Sequence, residues 1–121
     1  MEDVIFIESS EFTAWVGEYL ADDALAALQR TLRVDPNAGA VMPGCGGLRK
    51  IRVADPGRGK GKRGGARVIY LYIPEAHVIH LMDIYGKGEQ EDLSTDQKKY
   101  LRAYADGLKQ KTIRNRGGES W

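Results

Sequence analysis

Short runs of branched apolar residues alternate along the chain with stretches whose apolar positions recur every three or four residues, and these two periods mark out the elements. "VIFI" (4–7) predicts a short buried strand. Ser9 or Ser10 predicts a helix start, with Glu11 in the first turn and Phe12, Trp15, Val16 and Tyr19 as an apolar stripe. A second helix follows, with Asp22 or Asp23 as its cap and Leu25, Leu28 and Leu32 facing inward. Asp35-Pro36 ends it, because the residue before a proline is pushed out of the helical region. Residues 36–47, "PNAGAVMPGCGG", read as loop. "LRKIRV" (48–53) is a strand that places Lys50 and Arg52 on one face and Arg49, Ile51 and Val53 on the other. "ARVIYLYI" (66–73) is the clearest strand of all. Pro74-Glu75-Ala76 turns the chain, and "HVIHLMDIY" (77–85) runs back as its antiparallel partner until Gly86. A last helix is predicted from Ser94-Thr95-Asp96, with Tyr100, Leu101, Tyr104 and Leu108 inward.

This order predicts an α+β fold: an antiparallel sheet with two N-terminal helices and one C-terminal helix. A length of 121 residues suits one domain, placed at 1–110, with 111–121 ("KTIRNRGGESW") as a flexible tail. An apolar content of 42% is enough for a core, which excludes global disorder. "VIYLYI" is far below the roughly 20 residues of a membrane span, and the acidic start "MEDVIFIESSEF" lacks a signal-peptide pattern. A single cysteine, Cys45, permits no intrachain disulfide. A soluble cytoplasmic protein is the expectation.

Charge changes this picture. The net charge is only +1, but residues 1–48 carry eight acids and two bases, and residues 49–67 carry eight bases and one acid, Asp55. The basic segment contains "GRGKGKRGG" (57–65), a loop between consecutive strands. It could be a solvated hairpin loop, a phosphate-cradling P-loop or a polyanion-binding arm. The P-loop fails on order: Lys62 is followed by Arg63, and a strand follows in place of a helix. The arm reading gains from what flanks the loop. Lys50 and Arg52 on one strand and Arg67 on the next crowd their charge at one end of the sheet, where like charges destabilise unless an anion visits. Arg58, Lys60, Lys62 and Arg63 would then grip a nucleic-acid backbone without reading its sequence, with Arg49 beside them.

Conventional catalytic sets are thin. His77 and His80 have no third ligand spaced to join them, Cys45 has no local base, and the acids Glu89, Glu91 and Asp92 suit a solvated face as well as a divalent ion. No metal or cofactor is expected. A metal-free route remains for RNA, in which a 2′-hydroxyl attacks its own 3′-phosphate through a pentacoordinate state that fixed cations stabilise. Arg67 suits that task because its planar fork matches two phosphate oxygens. A lysine crowded by other cations loses its proton more readily and can serve as general base.

The run "GCGGLRKIRVADPGRGKGKRGGARVIYLYI", with "LMDIYGKGEQEDLS" after it, resembles the RelE/HigB superfamily of bacterial toxins from type II toxin–antitoxin modules, and its HigB-like branch most closely. The similarity runs from "VIFIES" through the last helix. It implies a RelE-like microbial ribonuclease fold and a ribosome-dependent mRNA endonuclease that cuts in the A site of the 70S ribosome and inhibits translation. It also implies a cognate helix-turn-helix, HigA-like antitoxin as partner. "Lys50-Ile51-Arg52" matches a family "K-I-K" strand that supplies catalytic cations, and Arg67 before "Val68-Ile69-Tyr70" matches the arginine that steadies the transition state. Gly86 and Lys87 match a "G-K-R", with Gly88 in the arginine's place. The resemblance thus implies Lys50 as base and Lys87 as acid. "EQEDLS" holds no aromatic residue to stack on a base, which leaves Tyr85 as a candidate for stacking or for strand-end packing. A non-catalytic RNA- or ribosome-binding protein of the same fold is the alternative.

Overall fold

The computed structural model describes residues 3–55, 65–86, 88 and 93–116. The order is β1 (Ile5–Glu8), α1 (Ser10–Tyr19), α2 (Asp22–Val34), β2 (Ala40–Val41), β3 (Arg49–Val53), β4 (Ala66–Ile73), a 3-10 turn (Pro74–Ala76), β5 (Val78–Gly86) and α3 (Thr95–Arg116). The five strands form one sheet in the order β1-β5-β4-β3-β2. β2 through β5 are antiparallel neighbours, as the turns between them require. Among the described residues the β1–β5 pair is the one parallel pair of this mostly antiparallel sheet. α1 and α2 carry the chain from β1 at one edge to β2 at the other, and the antiparallel run β2 to β5 then brings β5 back alongside β1.

Alternate residues of the strands feed two cores. Phe12, Leu28 and Leu32 pack with Val68, Tyr70, Ile79 and Leu81 on the α1–α2 face. Ala105, with Leu101 and Leu108 at its margin, packs with Leu71, Ile73 and Val78 on the α3 face, and the buried Cys45 belongs to that second core. Between Ile69 and Tyr70 the β4–β5 register shifts: Ile69 pairs with Asp83 and Tyr70 with Leu81, so Met82 is an extra residue. Before this bulge the odd positions Ile79 and Leu81 face α1 and α2; after it Ile84 does, and Tyr85 turns to the α3 face. Ser9 ties this point to α1. Its hydroxyl donates to the Met82 carbonyl at 2.7 Å and accepts the Phe12 amide at 3.0 Å, capping the helix.

Several expectations are corrected by packing. Trp15 leaves the predicted stripe and is 49% exposed, while Phe12, Val16 and Tyr19 hold the inner face. Ala21, not Asp22 or Asp23, occupies the cap position of α2; the two aspartates lie in its first turn, where the helix dipole favours them. The Ala21 amide donates instead to the buried Asp55 carboxylate at 3.2 Å, joining the start of α2 to the end of β3. The 36–47 loop contains β2. Ser94 and Gln97 form a reciprocal capping box at the head of α3, at 2.8 and 3.1 Å. α3 runs on through 111–116, into the predicted tail, because Thr112 is buried and hydrogen-bonds His80 at 3.0 Å. Among the described residues no helix is long and apolar enough to cross a membrane.

Candidate nucleic-acid interface

The antiparallel β3–β4–β5 ladder places the basic residues. Arg52 is the register partner of Arg67, and Arg67 of Tyr85, so these three form a row across three strands. Neighbouring strands lie about 4.8 Å apart, which sets the pitch of the row. The next row toward the middle of the sheet is Lys50, Ile69 and Asp83. Both rows face α3, because Ile51 and Val53, alternating with Lys50 and Arg52, pack on the other core. Lys50 and Arg52 are exposed and Arg67 is half-buried.

Four of the five candidate catalytic residues thus share one face at one end of the sheet: Lys50, Arg52, Arg67 and Tyr85. Tyr85 belongs there only through the bulge at Met82, which local sequence pattern did not indicate. Arg67 Nη1 donates to the Gly65 carbonyl at 2.9 Å, which holds the guanidinium near the mouth of the basic loop. Burial raises the Tyr85 phenol above its usual range; Arg67 pulls it down and Asp83 pushes it up. The phenol is therefore neutral at physiological pH, a donor beside the Arg67 guanidinium. Such a row concentrates positive potential on one face of the sheet, where a phosphate can bind.

Arg49 stands apart from this cluster. It projects to the opposite face, where Nη1 donates to the Gly39 carbonyl at 2.8 Å and the Asn37 carbonyl at 3.2 Å. These bonds fasten the loop before β2. Arg58, Lys60, Lys62 and Arg63 lie outside the described residues, as do Lys87 and the acids Glu89, Glu91 and Asp92. Among the described residues no group of three His, Cys, Asp or Glu side chains is placed to hold a metal ion.

Sequence reasoning missed Asp55. It is the one acid of the basic segment, and its near-total burial at the exit of β3 fixes the point from which the loop departs. Tyr70 was read only as a strand residue. Its hydroxyl donates to the Pro36 carbonyl at 2.8 Å and accepts the Gly39 amide at 2.9 Å. Together with Arg49 it clamps residues 36–39 against the strand that carries Lys50.

No family model matches the chain. Among solved structures, Escherichia coli toxin RelE, a double arginine-to-alanine variant in the free state, is similar with a TM-score of 0.52 and 17% identity. The likeness covers 87% of this chain and 98% of that one. It shows that the α+β architecture is the RelE-like fold expected from the sequence.

Proposed function

We propose that this chain is the toxin of a type II toxin–antitoxin module, a ribosome-dependent mRNA endonuclease of the HigB-like branch. The observation that carries the reading is the Arg52–Arg67–Tyr85 row with Lys50 on the same face, in a fold shared with toxin RelE. In this reading the RNA 2′-hydroxyl forms a bond to its own 3′-phosphorus as the bond to the 5′-oxygen of the next nucleotide breaks. A 2′,3′-cyclic phosphate and a 5′-hydroxyl result. Lys50 takes the 2′-hydroxyl proton, and Lys87 returns one to the leaving oxygen. Arg67 and Arg52 neutralise the charge that grows on the phosphorane, a service greater in the transition state than in the ground state. Tyr85, as a neutral phenol, hydrogen-bonds the phosphate or stacks on a base. Arg58, Lys60, Lys62 and Arg63 draw the message in, and a helix-turn-helix antitoxin neutralises the protein.

Primer extension on message in a translating ribosome mixture tests this, with Arg67→Ala and untranslated message as controls. Cuts confined to translated message and lost in Arg67→Ala are expected. Intact message despite co-sedimentation with ribosomes would overturn the endonuclease and leave a ribosome-binding protein.

A further inference from the structure

A groove of about 710 Å³ opens on the α3 face beside the cationic row. Ile69, Met82 and Asp83 line it from the sheet, and Tyr100, Leu101 and Tyr104 from α3. Its volume is within the range of small-ligand sites. Ile69 is two residues along β4 from Arg67 on the same face, about 7 Å away. One nucleotide bridges such a separation between its phosphate and its base.

The aromatic residues of this groove are misplaced for a core. Tyr100 and Tyr104 were expected inward, yet they are 70% and 49% exposed. They stand one helical turn apart, on the same side of α3. Leu101, Ala105 and Leu108 do the packing in their stead. Two exposed rings at the lip of an apolar groove, one row of the sheet from the Arg67 guanidinium, form a stacking platform for unpaired bases. Around the same groove stand Glu11, Asp83 and Asp96. Ionised carboxylates repel phosphate and only accept hydrogen bonds, so they select a base edge rich in donors. Guanine carries two adjacent donors, N1–H and N2–H, that fit the two oxygens of one carboxylate. Uracil offers a single ring N–H between two carbonyls.

We propose that this groove is a guanine pocket: an unstacked guanine stacks on Tyr100 and Tyr104 and donates to a carboxylate of the groove, while its phosphate sits on the Arg52–Arg67 row. The inference rests on the RNA-cleaving reading and adds the base that the surface selects.

Fluorescence anisotropy at low salt tests it, with labelled RNA heptamers of uridine alone, with one central guanosine, and with inosine at that position. The wild-type chain should bind the guanosine heptamer at least about fivefold more tightly than the all-uridine one, with inosine, which lacks the N2 amine, in between. Tyr100→Ala/Tyr104→Ala should bring the guanosine heptamer to the all-uridine level, and Tyr100→Phe/Tyr104→Phe should restore the preference. Both tyrosines are exposed, so an unchanged unfolding midpoint verifies that the variants fold. Arg67→Ala should weaken both heptamers alike and keep their ratio. Equal binding of all three heptamers by the wild type, or a preference that survives loss of both tyrosines, overturns the pocket. If Arg67→Ala still weakens every heptamer in that case, the RNA-cleaving reading stands without it. No binding of any heptamer overturns the pocket and leaves the ribosome-dependent reading to the primer-extension test. A groove that takes a protein segment instead would leave RNA affinity unchanged in the double alanine variant, which also overturns the pocket.

Discussion

Replacing Tyr70 by phenylalanine removes one oxygen from the core and keeps the ring. That oxygen donates to the Pro36 carbonyl and accepts the amide of the buried Gly39, so its loss breaks two hydrogen bonds and strands a buried donor. Burial raises the Tyr70 hydroxyl above its usual range, so it stays protonated and keeps donating across the working pH range. No water can replace the oxygen readily: a Cβ at Gly39 would already lie 2.8 Å from the Tyr70 ring and 3.0 Å from the Lys50 carbonyl. Each broken bond is worth about 1 kcal/mol net, and an unsatisfied buried amide costs about 1–3 kcal/mol, so a loss of about 2–3 kcal/mol follows. For a chain of this size that lowers the melting temperature by roughly 10 °C. Urea unfolding followed by tryptophan fluorescence and circular dichroism measures it. A loss below about 0.5 kcal/mol, the level of an ordinary surface change, would refute the reasoning. Arg49→Ala should cost less than the sum when combined with Tyr70→Phe, because both hold the same loop. Arg49→Ala alone should leave RNA cleavage near wild type.

Three further outcomes are expected. Burial lowers the His80 pKa from its ordinary value, so on acidification the unfolded chain takes up a proton before the native one does. Stability from this group is therefore full above about pH 6.5 and falls as the pH drops below that value; His80→Gln should remove that component, as the difference between the two urea-unfolding curves measured from pH 7.5 to 5. Gly46→Ala places a methyl at a left-handed φ of +72°, 3.1 Å from the Ala105 Cβ and the Arg102 carbonyl. It should cost about 1–3 kcal/mol and loosen α3, read as faster amide exchange in 101–112. Asp55→Ala leaves the Ala21 amide without its carboxylate and should lower stability by about 1–3 kcal/mol in urea unfolding.

Legibility in the sequence followed the range of the interactions. β4 was readable to the residue, because the six-residue apolar run 68–73 has one reading, and the nearness of Arg52 to Arg67 followed from a simple hairpin. Ser9 and Ser94 announced α1 and α3, since capping is chemistry within three residues. Features set by distant partners were not readable. Thr112 looked like frayed tail, yet His80, 32 residues away, holds it. Asp55 looked like a stray acid in a basic run, yet it serves a helix 34 residues upstream. The apolar stripe of α3 suggested that its tyrosines pack, whereas the adjacent Leu101 and Ala105 fill the space against the sheet. At the site, residue types and alternation brought Lys50, Arg52 and Arg67 to one face, but the place of Tyr85 depended on a count that local pattern does not reveal.

That count has a consequence for how the protein can change over generations. Because Met82 is one residue more than the ladder needs, the far end of β5 is out of phase with its near end. Exchanging side chains at 82–83 leaves the phase alone, and deleting one residue there would only remove the bulge, giving a regular ladder in which Ile84 still packs on the α1–α2 core and Tyr85 still pairs with Arg67. This stretch therefore carries one spare residue, and a lineage can rewrite it, or shorten it by that residue, while the tyrosine stays opposite the arginine.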